Sequence, residues 1–285
     1  MLRKIIKVSL LFAFVIFMLL YFDIIWRSPA YYKTEKQIEL ALPIMDMETY
    51  MKMVNDHRRP YIYKVVSESG GRVIIVGTDH INDPKHSQFD SIRHYWENNK
   101  PTVALVEGRL GFFFSWVHDP IDKYGESGLV TQLAKTDNVD LYTWEPSRED
   151  EIEMLIKKHS AKKLAMFYSL RPFFQLPENE RNENNLQALI EERTDYEQLE
   201  NSITKWQEID SIWNVDFPEQ NWRTFNSGYG YPGYLHDIWN DSNLARDKHM
   251  IDIIYEKVNK GDVIFVTMGA SHAPRIENTL KNLIN

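Results

Sequence analysis

Val263-Ile264-Phe265-Val266-Thr267-Met268-Gly269-Ala270-Ser271-His272 is an apolar, β-branched run that stops at a glycine and reaches a histidine three residues later. A run of this kind reads as a buried strand. The same arrangement occurs early in the chain, as Val73-Ile74-Ile75-Val76-Gly77-Thr78-Asp79-His80. Two strands therefore each end in Gly-x-x-His. The glycine is expected to let the backbone turn sharply off the strand end. The histidine then stands at the C-terminal edge of a sheet, where open α/β sheets place their ligands.

Two further runs have the same habit. Pro101-Thr102-Val103-Ala104-Leu105-Val106 leads directly into Glu107-Gly108, and Val139-Asp140-Leu141-Tyr142-Thr143-Trp144 leads into Glu145-Pro146. If the four strands are parallel neighbours, His80, Glu107, Glu145 and His272 share one crevice. Between the first two lies a polar loop and then a helical stretch, Ser87 to Asn99, with Phe89, Ile92 and Trp96 facing in. Strand, loop, helix and strand in that order is the pattern of a crossover between parallel strands. Tyr61 to Ser67 alternates, Gly70-Gly71 turns and Arg72 to Val76 returns, which predicts a hairpin. The expected fold is α/β: a mixed, largely parallel central sheet flanked by helices, with a helical insertion and an N-terminal transmembrane helix.

The bulk numbers exclude several function classes. Of 285 residues, 43% are hydrophobic and 26% charged, the balance of a globular chain. The net charge is −8, with no evident basic patch or arginine-rich helix, which argues against nucleic acid as a partner. The chain has no cysteine. Disulfides, cysteine-ligated zinc, iron–sulfur clusters and a thiol nucleophile are thereby excluded, and any metal must be held by His, Asp, Glu or water.

The N-terminus carries a second strong signal. Met1 to Lys7 is basic, and from Val8 to Phe22 there is no charge. From Ile5 to Trp26 the stretch reaches the ~20 residues needed to cross a bilayer, with Tyr21 and Trp26 where interfacial aromatics belong. This predicts a membrane anchor over residues 1–26 that leaves the remainder of the chain extracytoplasmic. The rival is a cleaved signal peptide, since Ser28-Pro29-Ala30 faintly resembles a cleavage site. The length of the apolar region and the presence of Arg27 and Pro29 near the cut favour the anchor.

Residues 27–45 read as a tether and 46–285 as the catalytic domain. Within it, Gly108 to Trp116 is aromatic and glycine-containing, and reads equally as a loop over the site, a membrane-facing patch or core filling. Ser147 is a plausible N-cap for a helix over Glu149 to His159. Residues 178–215 are strongly polar at first and then carry one apolar helix face, through Leu186, Leu189, Ile190, Leu199, Ile203 and Trp206. They read as a helical insertion or lid. Asp237 to Lys260 is the last long helix and carries Arg246 and Asp247, with Gly261 at its C-cap position.

Two histidines and one or two glutamates on separate strand ends suit a divalent metal. Imidazole nitrogens and carboxylate oxygens form three-ligand sites with a position left for water. His80, Glu107 and His272 are the expected ligands for manganese, cobalt or zinc. Glu107 or Glu145 would accept the proton of the activated water, and Arg246 would face a developing oxyanion. Taken singly, each Gly-x-x-His is weak, and it is the paired placement that points to a site. His86 and His249 read as surface residues. No Gly-x-Ser-x-Gly, His-Glu-x-x-His or phosphate loop is present.

These residues resemble the TraB/PrgY–GumN–Tiki superfamily, which is related more distantly to erythromycin esterase and the haem-binding lipoprotein ChaN. The resemblance rests on Gly77-Thr78-Asp79-His80, Val106-Glu107-Gly108, Glu126-Ser127-Gly128, Trp144-Glu145-Pro146, Arg246-Asp247 and Gly269-Ala270-Ser271-His272. It implies a mixed α/β domain with the histidines and the glutamate in a central cleft. Tiki members are membrane-tethered, metal-dependent peptidases acting outside the cell. The large polar region 178–215 departs from the family pattern and leaves the substrate class open, peptide or small molecule. The leading expectation is a membrane-anchored, extracytoplasmic metal-dependent hydrolase, most simply a peptidase. One alternative is metal-independent hydrolysis of an ester or lactone, with His80 as general base and Glu107 orienting it. Another is a haem- or peptide-binding protein without turnover.

Overall fold

A strand that is apolar on both faces needs cover on both, and here helices supply it from either side of one sheet. The computed structural model describes residues 2–22 and 24–284, with the side chains of residues 2–5, 8 and 229 outside that description. In chain order the elements are helix α1 (Leu2–Tyr21), strands β1 (Ile25–Trp26) and β2 (Ala30–Tyr31), helix α2 (Met47–Met53), and strands β3 (Tyr61–Val66) and β4 (Arg72–Thr78). Then come helix α3 (Gln88–Asn99), strands β5 (Val103–Val106) and β6 (Phe113–Phe114), helix α4 (Pro120–Asp137) and strand β7 (Asp140–Thr143). Helices α5 (Arg148–Leu155), α6 (Ala161–Phe173), α7 (Glu183–Arg193), α8 (Trp206–Asp216) and α9 (Tyr234–Asn259) precede strand β8 (Val263–Gly269) and helix α10 (His272–Ile284).

Two compact units result, Met1–Glu145 with Asp247–Asn285, and Pro146–Arg246. The first holds a six-stranded sheet in the order β2-β7-β5-β8-β4-β3. Every pairing in it is parallel except the hairpin of β3 with β4. Strand residues alternate between two cores, as the two-residue period requires. Val73, Ile75, Val103, Leu105, Ile264 and Val266 pack with Met250 to Val258 of α9 and with α10. Ile74, Val76, Ala104, Val106 and Phe265 pack on the other face with α3 and α4. The expected hairpin and the four expected parallel strands are therefore present, and β7, β5, β8 and β4 are contiguous.

The second unit is helical and has its own core. Phe173, Phe174, Leu186, Ile190, Ile209, Trp213 and Trp222 are buried together. The expected insertion over 178–215 is thus the middle of a larger helical unit. Ser147 caps α5 as its sequence suggests, accepting the Asp150 N–H at 3.1 Å. Inside the polar run, Arg181 has a structural task, donating to the carbonyls of Phe174, Leu176 and Phe225 at 2.7–3.1 Å.

The N-terminal residues depart from expectation. Among the described residues no helix is long and apolar enough to cross a membrane. Of the span expected from Ile5 to Trp26, the side chains of Ile5 and Val8 and the whole of Asp23 lie outside the described residues. The helix ends at Tyr21, and Ile25–Trp26 form a strand antiparallel to β6. Trp26 is not an interfacial aromatic but is buried, its ring 4.6 Å from that of Phe113. Residues 27–45 are not a free tether either. β2 extends the sheet beside β7. Tyr32 Oη donates to Glu256 at 2.6 Å, and the Ile38 N–H donates to Asp252 at 3.1 Å. The Met45 N–H and carbonyl bond to the Arg275 carbonyl and Nε respectively. Backbone groups laid against a folded surface need partners there, and these contacts provide them. The domain consequently does not begin at residue 46.

Phe265 shows how the two-sided sheet can be tested, because it is fully buried with its ring centroid 5.3 Å from that of Trp96. Phe265→Ala is expected to cost about 3–5 kcal/mol in urea unfolding. Val215→Ala, at a side chain 79% exposed, is expected to change little.

Candidate metal site

His80 lies two residues beyond the end of β4, Glu107 immediately follows β5, and Glu126 lies on α4. One ligand atom from each falls within 4.8 Å of the others. They line a cavity of about 290 Å³ together with Asn82 and Tyr124. Three local features set this geometry. Glu107 Oε2 accepts the Gly269 N–H at 2.6 Å, which ties the end of β5 to the end of β8. Ser127 Oγ donates to the Glu107 carbonyl at 3.1 Å, which ties α4 to the same point. Gly125 breaks the helical course of α4 with φ +53° and ψ −135°, and a side chain there would meet the Ile81 carbonyl at 3.0 Å. This kink, open only to glycine, brings buried Glu126 to His80, with Oε1 2.7 Å from Nδ1.

The glycines of the two Gly-x-x-His runs do a different task from the one expected. Gly77 lies within β4 and Gly269 ends β8, and neither has a positive φ. Their value is space. A Cβ on Gly77 would stand 2.7 Å from the Ala273 Cβ. One on Gly269 would stand 3.0 Å from His80 Nε2 and 3.4 Å from Glu107 Oε2.

The electrostatics of the group are those of one imidazole among acids. The hydrogen bond to Glu126 pushes the His80 pKa up to about 9, against the opposing effect of burial and with help from the charge of Glu107. At neutral pH the ring is therefore protonated and donates Nδ1–H to Glu126. Loss of the Nε2 proton leaves Nε2 as the available donor atom, on the side of Gly269 and Glu107. A carboxylate holding the far nitrogen of an imidazole is the usual support of a metal-binding histidine. The donor set of one imidazole and two carboxylates suits borderline or hard divalent ions.

Of the ligands expected, His80 and Glu107 come together and His272 does not join them; Glu126 takes the third place. His272 is buried at the start of α10, with Nδ1 2.5 Å from Asp247 Oδ1. Arg275 Nη1 lies 2.9 Å from the other oxygen of Asp247, and the Trp144 ring lies 5.3 Å away edge-on. His272 thus belongs to a buried Asp–His–Arg system, because α10 begins there and turns its first residue into the core. Glu145 follows β7 as expected and sits beside Gly108, with Oε2 3.9 Å from the position of a Cβ on that glycine. It is outside the three-residue group. Arg246 is the last residue of the helical unit, buried, with Nη1 3.5 Å from Asn243 Oδ1. His86 is exposed, and His249 is half-buried, its Nδ1 2.8 Å from the Trp144 carbonyl.

Glu126 is the residue that sequence reasoning did not place in the site. Its signal was Gly125-Glu126-Ser127-Gly128, an acid between glycines inside a helical stretch. Arg275 left no comparable trace, and Asp247 stood out only as the neighbour of Arg246. No family model, no curated protein and no solved structure matches this chain.

The His80 proton gives a pH prediction. Because the folded pKa is raised, its stabilising effect is fully present below the ordinary value of 6.5 and is lost as pH rises through about 9. Imidazole NMR should place the titration near that value in the apo protein, and Glu126→Gln should move it down; a midpoint unmoved by the substitution would refute the coupling. Gly269→Ala should crowd His80 and Glu107 and weaken binding of added zinc or manganese at least tenfold in calorimetry, with the fold retained.

Proposed function

We propose that this chain is a membrane-anchored, extracytoplasmic metal-dependent hydrolase acting on peptides. The observation that carries the reading is the His80–Glu107–Glu126 group, with one imidazole and two carboxylates around a small open cavity at the C-terminal edge of a parallel sheet. Manganese, cobalt and zinc all fit the donor set. Bound there, such an ion supplies a Lewis acid that makes water acidic near neutral pH. Glu126 holds His80 in one orientation through Nδ1. Glu107, held by the Gly269 N–H, presents its carboxylate on the other side. Proton transfer falls to these two carboxylates, one taking the proton of the attacking water and returning it to the departing amine. The resemblance to the TraB/PrgY–GumN–Tiki superfamily supports the peptidase reading. Membrane attachment rests on α1, where Leu10, Leu11, Phe12, Phe14 and Phe17 are all more than half exposed.

A second reading is metal-independent hydrolysis of an ester or lactone with His80 as general base. The 2.7 Å contact between His80 and Glu126 favours it, and puts Glu126 in the orienting place expected of Glu107. Such a base works only once His80 has lost its proton, so this activity would rise with pH toward about 9.

The deciding experiment measures bound metal and peptide cleavage in the full chain and in His80→Ala plus Glu107→Ala. The proposal expects near-stoichiometric metal, lost in the double variant, and cleavage reduced roughly 100-fold or more. Cleavage that survives chelation, with an alkaline pH optimum, transfers the assignment to the second reading.

A further inference from the structure

A second, larger cavity of about 780 Å³ lies among Arg27, Ser28, Arg109, Phe112 and Lys135. Three cations line it and no acid does, in a chain whose net charge is −8. Among the described residues, Arg27 and Arg109 have no carboxylate within ion-pair distance. The Arg109 guanidinium lies 4.8 Å above the Tyr31 ring, and the Lys135 ammonium lies 5.8 Å from the Trp26 ring. The Tyr31 face holds the Arg109 cation in place without cancelling its charge. Beside the cavity the chain exposes an apolar surface: Phe112 is 69% exposed, Trp116 62% and Val117 64%. This surface is fixed to the chain just after α1, since β6 pairs with β1 and the Ser115 N–H donates to the Ile24 carbonyl at 3.1 Å. Tyr21 and Phe22, at the end of α1, are also exposed.

Cations that gather round a cavity and exposed aromatics beside it, at the foot of an apolar helix, match the two layers of an anionic lipid surface. We propose that this cavity receives the phosphate headgroup of an anionic phospholipid while Phe112, Trp116 and Val117 enter the interfacial layer. The inference rests on the membrane-attached reading of the chain and extends it from a tether to a docked face. Its consequence concerns the candidate metal site, because Arg109 lines both cavities. Headgroup binding holds that residue at the rim of the His80–Glu107–Glu126 cavity, so the site works on substrates presented at the membrane surface.

Because the chain has no cysteine, Val117→Cys gives a single attachment point for an environment-sensitive dye. The full chain carrying it is reconstituted in vesicles of phosphatidylcholine alone and of phosphatidylcholine mixed with phosphatidylglycerol, and attachment is followed separately by resistance to alkaline extraction. The proposal expects a blue shift of the dye in the mixed vesicles only. High salt and Arg27→Glu plus Arg109→Glu should each abolish that shift, with alkaline resistance and the circular dichroism spectrum unchanged. An equal shift in both lipids would mean apolar insertion without headgroup recognition and would overturn the proposal. No shift in chains that resist extraction would overturn the docked face while leaving the anchor intact. Chains that are extracted would overturn the anchor reading itself.

Discussion

The pairing of β4 with β8 is the constraint on which the rest of the first unit depends. The two strands run in parallel register from Arg72 opposite Val263 to Thr78 opposite Gly269. Each is the apolar stretch before a Gly-x-x-His, so their pairing places both runs at one edge of the sheet. The strands are covered on both faces, by α3 and α4 on one side and by α9 and α10 on the other. Helix α10 reaches the sheet closely only because Gly77 has no side chain. A bulkier residue would push α10 outward and disturb Ala273 and its neighbours in the core beneath it.

From that edge the two histidines part company. His80 stays exposed and meets Glu126, while His272 turns inward to Asp247 and Arg275. A buried ion pair of this kind adds little net stability over an apolar core, yet removing one partner leaves an uncompensated charge and costs several kcal/mol. The arrangement therefore fixes where α10 starts and how it joins the segment ending at Met45, whose carbonyl accepts from Arg275 Nε. His80 keeps its solvent access and stands beside two acids, which is why the proposed chemistry is assigned to it. His272 is closed off from water, bonded to Asp247 and packed against the Trp144 ring.

The residues between α1 and α2 join the candidate anchor to the sheet without slack. β1 is pinned to β6 and β2 to β7, so the aromatic stretch 112–117 and the cation-lined cavity are held just behind α1. A rigid connection keeps these groups in a constant position relative to the start of the chain, as a flexible linker would not.

Much of the sheet was legible from sequence alone. Unbroken apolar runs bounded by glycine mark strands buried on both faces, and the residues after them, His80 and Glu107, mark the edge where the candidate site lies. The hairpin of β3 with β4 and the cap at Ser147 were equally local. What the tertiary structure decided was everything that rests on separation in sequence. Glu126 joined the site because Gly125 kinks α4 and Ser127 ties it to Glu107, and no periodicity reports a kink. His272 left it because Asp247 and Arg275 converge on the same buried point from two helices. Residues 27–45 became part of the unit through hydrogen bonds to α9 and α10, partners that lie more than 200 positions away. Sequence patterns record which side of an element must be buried; which polar groups meet across the fold is settled only when the elements pack and each buried donor or charge must find a partner.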